Sequence, residues 1–349
     1  MIICYLLEST NLAGGVRVVF DQARLLSNKG HRVIIRAKFG SHHWYHHPIV
    51  VDYVDDLSSP FQANSAIPDI VIATFWTTVQ AATQLQCRKA FHFCQGYEGD
   101  LPEYADIRQQ IEQAYRLPIA KLTVGDWLTR RLQQIYGSHD FPVHTIGQIV
   151  DMALFSPPKF MFNRLLRKLS RRPVKILLMG LFESSVKGIP DALNAIETIR
   201  KQNVKLHVTH VSSHPLSERE KKITPIDNYL IQLPPPAIAQ LYRTHDLMIA
   251  PSLAAEGFGL PFAEALASGL PCVATAIPSH TSFDPVHDYA VFVPPSNPSV
   301  MAQAIQKLLN NPQKQAFLRQ RGPQLMQKLF SQNKTIERLE SLCLESLNH

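Results

Sequence analysis

Apolar residues in this chain gather in short runs that alternate with stretches whose apolar positions fall at helical spacing. Largely apolar runs over 2–7, 31–37, 69–73, 89–94, 120–124 and 142–150 have strand length and predict strands, the first of them apolar throughout and so buried on both sides. Helical patterns follow the first run, stopping at Lys29-Gly30, and the third, through Gln86; Gly125-Asp126 opens another. A second set of runs over 174–179, 206–211, 229–232, 247–250, 271–275 and 290–294 repeats the alternation, with helices from Pro190, over 236–244 and from Pro261. Three helices close the chain, at 300–310, 312–329 and 334–347; in the last, Ile336, Leu339, Cys343 and Leu347 share one face. Pro157-Pro158 and Arg171-Arg172-Pro173 bracket a linker over 156–173. Strand and helix alternating twice over predict two doubly wound Rossmann-like α/β domains, 1–165 and 172–330.

The most informative stretch is 251–272. An apolar run, 247–250, feeds a loop holding Gly257 and Gly259, and Pro261 stands where a helix begins, a place where its missing N–H costs nothing. A helix start exposes unpaired N–H groups and the positive end of the dipole, so it can receive a phosphate. Glu256 on the loop and Glu264, expected in the first helical turn, frame this anion site. Carboxylates repel phosphate but accept hydrogen bonds from sugar hydroxyls, so the combination suits a nucleotide sugar.

Glu256-(seven residues)-Glu264, with Gly-Phe-Gly-Leu-Pro inside it and Ala-Ser-Gly-Leu-Pro after it, resembles the E-x7-E signature of family 4 glycosyltransferases. The resemblance covers nearly the whole chain and implies a GT-B fold: two Rossmann-like domains with a cleft between them, the C-terminal helix (332–349) packing back on the first. It also implies retaining, metal-independent transfer from a nucleotide diphosphate sugar. In the family the first Glu holds the donor-sugar hydroxyls and the second the ribose, roles that carry onto Glu256 and Glu264. Lys187, seven residues after Gly180, meets the family's spacing for the diphosphate lysine; the family's Arg directly after that glycine is here Leu181. Lys187 and the N–H groups of Phe258, Gly259 and Leu260 would neutralise the leaving diphosphate. Gly14 and Gly15 match a Gly-Gly loop that faces donor phosphates and acceptor; a plain tight turn is the other reading of that pair. Gln95-Gly-Tyr-Glu98 stands where many relatives carry a His, and resembles a bacterial subgroup that includes rhamnosyltransferases. Glu98 is the carboxylate there, a candidate to orient or deprotonate the acceptor hydroxyl, or else a loop or capping acid. Ile149-Val-Asp151 with Phe155 resembles the family's domain-closing element.

Composition narrows the alternatives. With 45% hydrophobic and 18% charged residues, the 349-residue chain is globular rather than disordered. Its net charge of +7 is diffuse, and neither zinc-finger spacing nor an RNA-recognition motif accompanies it, which argues against nucleic acid. Five scattered cysteines fit reduced thiols in a cytoplasmic protein, and no run reaches the length of a membrane span. A basic amphipathic segment over 160–169 reads as a connector or as a peripheral contact at the inner face of the membrane. His42, His43, His46 and His47 around Trp44-Tyr45 read as an exposed loop on the acceptor side rather than a metal site. No cofactor is expected beyond the nucleotide diphosphate sugar as donor substrate. The expected partner is a carbohydrate or lipid-linked acceptor, and the expected role surface polysaccharide or glycolipid synthesis. The alternative is a non-catalytic GT-B subunit that binds a sugar or a partner, motivated by Leu181 and Gln95.

Overall fold

The computed structural model describes residues 1–62, 66–137, 141–158 and 172–348. The basic segment 160–169 lies outside the described residues. The chain divides into two compact units, 1–149 with 332–349, and 150–331, so the division falls ahead of the 165 expected from sequence.

Among the described residues of the first unit, seven parallel strands run in the order β3-β2-β1-β4-β5-β6-β7. They are β1 (Ile2–Ser9), β2 (Arg32–Phe39), β3 (Val50–Tyr53), β4 (Ile70–Ala73), β5 (Lys89–Cys94), β6 (Ala120–Thr123) and β7 (Val143–Thr145). β1 and β4 are covered on both faces, which is why 2–7 and 70–73 are unbroken apolar runs: Cys4, Leu6, Val71 and Ala73 share one buried cluster with Val79 of the following helix. The expected strand over 142–150 is shorter than its apolar content implied. Pairing with β6 ends at Thr145, and Gly147 has φ +89°, off any strand conformation. The helix Gln332–Asn348 belongs to this unit; its Glu340 accepts hydrogen bonds from Lys29 and from His31, and Thr335 donates to the Gln148 carbonyl at 3.0 Å.

Among the described residues of the second unit, six parallel strands run in the order β10-β9-β8-β11-β12-β13. They are β8 (Val174–Met179), β9 (Leu206–Ser212), β10 (Asn228–Ile231), β11 (Leu247–Ala250), β12 (Cys272–Thr275) and β13 (Val291–Val293). Ile176, Leu178, Leu193, Ile196, Ile249, Val273 and Ile305 form its core between the sheet and the helices Ile189–Arg200 and Pro298–Leu309.

In both sheets the strand order turns back on itself once, between β1 and β4 and between β8 and β11. At such a reversal the loops leaving adjacent strands diverge to opposite faces and open a crevice beyond the strand ends, where α/β proteins bind ligands. Residues 251–259 leave β11 and residues 180–188 leave β8, so both of the second unit's predicted site loops start at its reversal.

Candidate functional site

Two loops are knitted together at the β8/β11 reversal. The Leu253 N–H donates to the Val186 carbonyl at 2.8 Å. Gly188, at φ +59°, passes so close to the other loop that a Cβ on it would stand 2.0 Å from the Pro251 carbonyl oxygen. Gly188 and Gly259 (φ +75°) each sit in the left-handed conformation just before a helix with proline in its first turn, Ile189–Arg200 and Leu260–Ala267. Neither helix has a side-chain N-cap among the described residues, whereas Asn297 and Asn311 cap two later helices. Glycine at N-cap leaves the first N–H groups open to an incoming acceptor.

Lys187 and Glu256 meet beside these helix starts. Lys187 Nζ donates to Glu256 Oε2 at 2.7 Å, and Ser252 Oγ donates to the same oxygen at 2.9 Å. Burial works against the charged carboxylate, but the Lys187 ammonium and these hydrogen bonds outweigh it and hold Glu256 below the usual carboxylate range. The site thus presents a fixed carboxylate, an ammonium that can swing to another anion, and helix N–H groups. Phe258 turns its ring inward against Phe283 and Phe330, at 5.3 and 5.1 Å, which anchors the loop.

Glu264 corrects the sequence expectation. It is the fifth residue of its helix, not in the first turn, and it is buried. Tyr242 Oη donates to its Oε2 at 3.1 Å, and the Tyr242 ring packs on Phe155 at 5.9 Å. The segment expected to close the domain therefore supports Glu264 through Tyr242, while Asp151 Oδ1 caps that turn by accepting from the N–H groups of Ala153 and Leu154.

Sequence reasoning assigned nothing to His280, Ser252 or Tyr242. His280 is fully buried, its Nδ1 3.2 Å from the Thr275 carbonyl, its Nε2 without a hydrogen-bond partner among the described residues, and its ring 4.6 Å from that of Phe262. A Cβ on Gly259 would stand 2.6 Å from Nε2, so this ring lies directly under the left-handed turn. Desolvation pushes the imidazole down to about 4, so it is neutral at pH 7.

The remaining predicted residues belong to the first unit. Gly14 and Gly15 start the helix Gly14–Asn28 after β1, and Gln95 Nε2 donates to the Gly15 carbonyl at 3.1 Å, joining the loops after β1 and β5. Glu98 opens a 3-10 turn, Glu98–Asp100. Tyr115 Oη donates to its Oε2 at 2.6 Å, while burial raises the carboxyl to about 7 against the lowering effect of that bond. The histidine loop is tied down by aromatic contacts: Trp44 Nε1 donates to the Thr10 carbonyl at 2.9 Å, and Tyr45 Oη to Asp21 Oδ1 at 2.9 Å. Among the described residues no three His, Cys, Asp or Glu side chains gather as a metal site requires. No helix among them is long and apolar enough to cross a membrane.

Two doubly wound parallel-sheet units, the second with its glycine loops at the strand-order reversal, constitute a GT-B fold. The model of the family "Glycosyl transferases group 1" matches residues 173–311, from the first strand of the second unit past both site loops. The chain resembles sucrose-phosphate synthase from Thermosynechococcus elongatus at 15% identity and a TM-score of 0.75, over 99% of this chain and 98% of that one. It resembles Anabaena Alr3699/HepE, solved with UDP and glucose, at 16% identity and 0.77, over 97% and 98%. WaaG, a glycosyltransferase of lipopolysaccharide biosynthesis, matches at 12% identity and 0.67, over 92% and 94%. No curated protein matches the sequence. The structural matches extend over nearly the whole chain and the family-model match over most of the second unit.

Proposed function

We propose that this protein is a metal-independent retaining glycosyltransferase that moves a hexosyl group from a nucleotide diphosphate sugar to an acceptor hydroxyl, in surface polysaccharide or glycolipid synthesis. The observation that carries this reading is the Lys187–Glu256 pair standing beside two glycine-started, uncapped helices. The binding of UDP and glucose by Alr3699/HepE, which shares the fold, supports the donor class.

In this reading the diphosphate takes the helix starts at Gly259 and Gly188, and Lys187 turns to it from Glu256. Glu256 is then free to accept hydrogen bonds from the sugar hydroxyls, and Glu264 does the same for the ribose. The bond from the anomeric carbon to the diphosphate oxygen breaks while the acceptor oxygen attacks from the same face. The acceptor proton ends on the departing diphosphate, with Glu98 orienting the acceptor hydroxyl. Lys187 and the N–H groups of Phe258, Gly259 and Leu260 meet the negative charge as it develops, where pre-set donors are worth most. Gly14 and Gly15 contribute backbone to the phosphate and acceptor side.

Leu181 favours a second reading, a non-catalytic GT-B subunit, because it removes one of two expected cations. A thermal-shift panel of nucleotide diphosphates and their sugars, run on the parent, Glu264→Ala and Lys187→Ala, separates the two. A ligand that binds only the folded state raises its melting temperature. A shift with one nucleotide, abolished by both substitutions, supports the donor site. No shift with any of them at about millimolar concentration, far above an ordinary donor Kd, favours the subunit.

A further inference from the structure

Behind Glu98 the first unit holds a set of side chains that the sequence left unread. Tyr115 ends the helix Arg108–Tyr115 and is fully buried. Its ring is pinned edge-on by Tyr97 at 5.0 Å, stacked on Tyr136 at 5.9 Å, and met by the edge-on ring of His92 at 4.7 Å. Tyr97 and Tyr136 are themselves joined by a hydroxyl–hydroxyl bond of 2.8 Å. Out of this locked cluster the Tyr115 hydroxyl reaches Glu98 Oε2 at 2.6 Å, with the Gly96 carbonyl as its other acceptor at 3.2 Å.

We propose that Tyr115 is a positioning residue for Glu98: its hydroxyl, fixed by the Tyr97–Tyr115–Tyr136 cluster, holds one carboxylate oxygen so that the other meets the acceptor hydroxyl. This rests on the role given to Glu98 above. A glutamate side chain on a short 3-10 turn has several rotamers open to it, and ordering it by a rigid phenol removes that freedom before the substrate arrives. A phenol O–H donates more strongly to a carboxylate than to a carboxylic acid, so the same contact also favours the ionised form against burial.

The other titratable groups near Glu98 do not supply an alternative partner. From β5 the Cys94 thiol meets the Tyr115 hydroxyl rather than Glu98, and burial pushes it well above its ordinary value. From the turn Pro102–Ile107, Tyr104 feels Glu98 and is raised mainly by burial. Asp100 is paired with Arg131, and the Lys121 ammonium donates to the carbonyls of Leu117 and Ile119 at 3.0 and 2.9 Å.

The test is a carboxyl carbon-13 NMR titration of the full chain labelled at glutamate Cδ, with Glu98→Gln to assign the signal, comparing the parent with Tyr115→Phe. Removing the hydroxyl is expected to move the Glu98 midpoint up from about 7 by about one pH unit, the size expected when a bond to a charged group is lost. The same midpoint in Tyr115→Phe overturns the proposal. Should that variant not fold, uniform 3-fluorotyrosine makes the phenol a stronger donor and must lower the midpoint; an unmoved or raised midpoint overturns the proposal. Donor turnover, read as nucleotide diphosphate release with water as acceptor, keeps the two ideas apart. Tyr115→Phe is expected to move the pH profile with the NMR midpoint and to lower kcat more than it raises KM. If Glu98→Gln turns over like the parent, the role of Glu98 fails and the positioning role with it, even though an NMR shift would still show the Tyr115 contact to be real.

Discussion

Gly188 and Gly259 share a conformation, but their surroundings make them unequal. A methyl group on Gly188 meets the Pro251 carbonyl oxygen at 2.0 Å, backbone that is itself knitted into the facing loop. A methyl group on Gly259 meets the tip of the His280 ring at 2.6 Å, a side chain rather than backbone. Both substitutions bear the left-handed penalty of about 1 kcal/mol. Gly188→Ala should add a backbone clash and lose about 3 kcal/mol or more in urea unfolding, and Gly259→Ala about half of that. Equal losses would mean that the two loops are not pressed together as described. His280 shows why part of the site was illegible. Nothing in Ile277-Pro-Ser-His280 marks the ring as lying under Gly259; only the return of the chain through β12 brings it there. Glu256, Glu264 and Lys187 were legible because their spacing and flanking residues are local. Tyr242 and Tyr115 reach their carboxylates from other helices, 22 and 17 positions away, and left no sequence signal.

Among the elements, those read correctly from the sequence are the ones with a single physical reason. β4, β8 and β11 are apolar throughout or nearly so, and they lie covered in the middle of parallel sheets. β3 was missed because it is an edge strand, half exposed, with Asp52 in its short sequence. The helix Arg108–Tyr115 was missed because only Ile111 and Tyr115 on it are buried. The helix starts differ by purpose. Asn297 Oδ1 accepts from the Val300 N–H at 3.1 Å, so Asn297→Ala should lose about 1 kcal/mol in thermal or urea unfolding. The helix Leu260–Ala267 has no such cap among the described residues and should instead gain stability from a phosphate ligand. If inorganic phosphate or a nucleotide diphosphate raises the melting temperature of Asn297→Ala by as much as the parent's, the two helix starts are independent, as expected from their separate positions in the fold.

At the scale of the whole molecule, the buried ionisable groups set how stability follows pH. Burial holds His92, His245 and His280 neutral, the first well below its usual value and the other two at about 4. Unfolded, each takes a proton near 6.5, so its contribution is complete above that pH and is lost as pH falls through the folded value. Glu98 has the opposite sign. Raised from 4.5 to about 7, it favours the fold below 4.5 and loses that contribution as pH rises toward 7. Three histidines against one carboxyl leave a net two protons taken up on unfolding between those limits. Stability should therefore climb from pH 4.5 to 6.5 at up to about 2.7 kcal/mol per pH unit, before other carboxylates are counted. Glu98→Gln should steepen the climb, and urea unfolding across that range measures it; a shallower climb in the variant would contradict the assignment. Four of the five cysteines are buried and all are free, so alkylation of the native protein should mark Cys87 first.

The central claim is that Lys187 serves the donor's diphosphate while Glu256 serves its sugar. Calorimetric titration of the nucleotide diphosphate selected by the thermal panel, and then of its sugar, into the parent, Lys187→Ala and Glu256→Gln tests both halves. Losing the ammonium forfeits a charged hydrogen bond and leaves Glu256 without its cation, so Lys187→Ala should weaken the diphosphate about tenfold or more. Glu256→Gln should bind the diphosphate as the parent does and lose the extra affinity contributed by the sugar. A Lys187→Ala protein that binds the diphosphate like the parent, or a Glu256→Gln protein that keeps the sugar's share, would contradict the donor site described here.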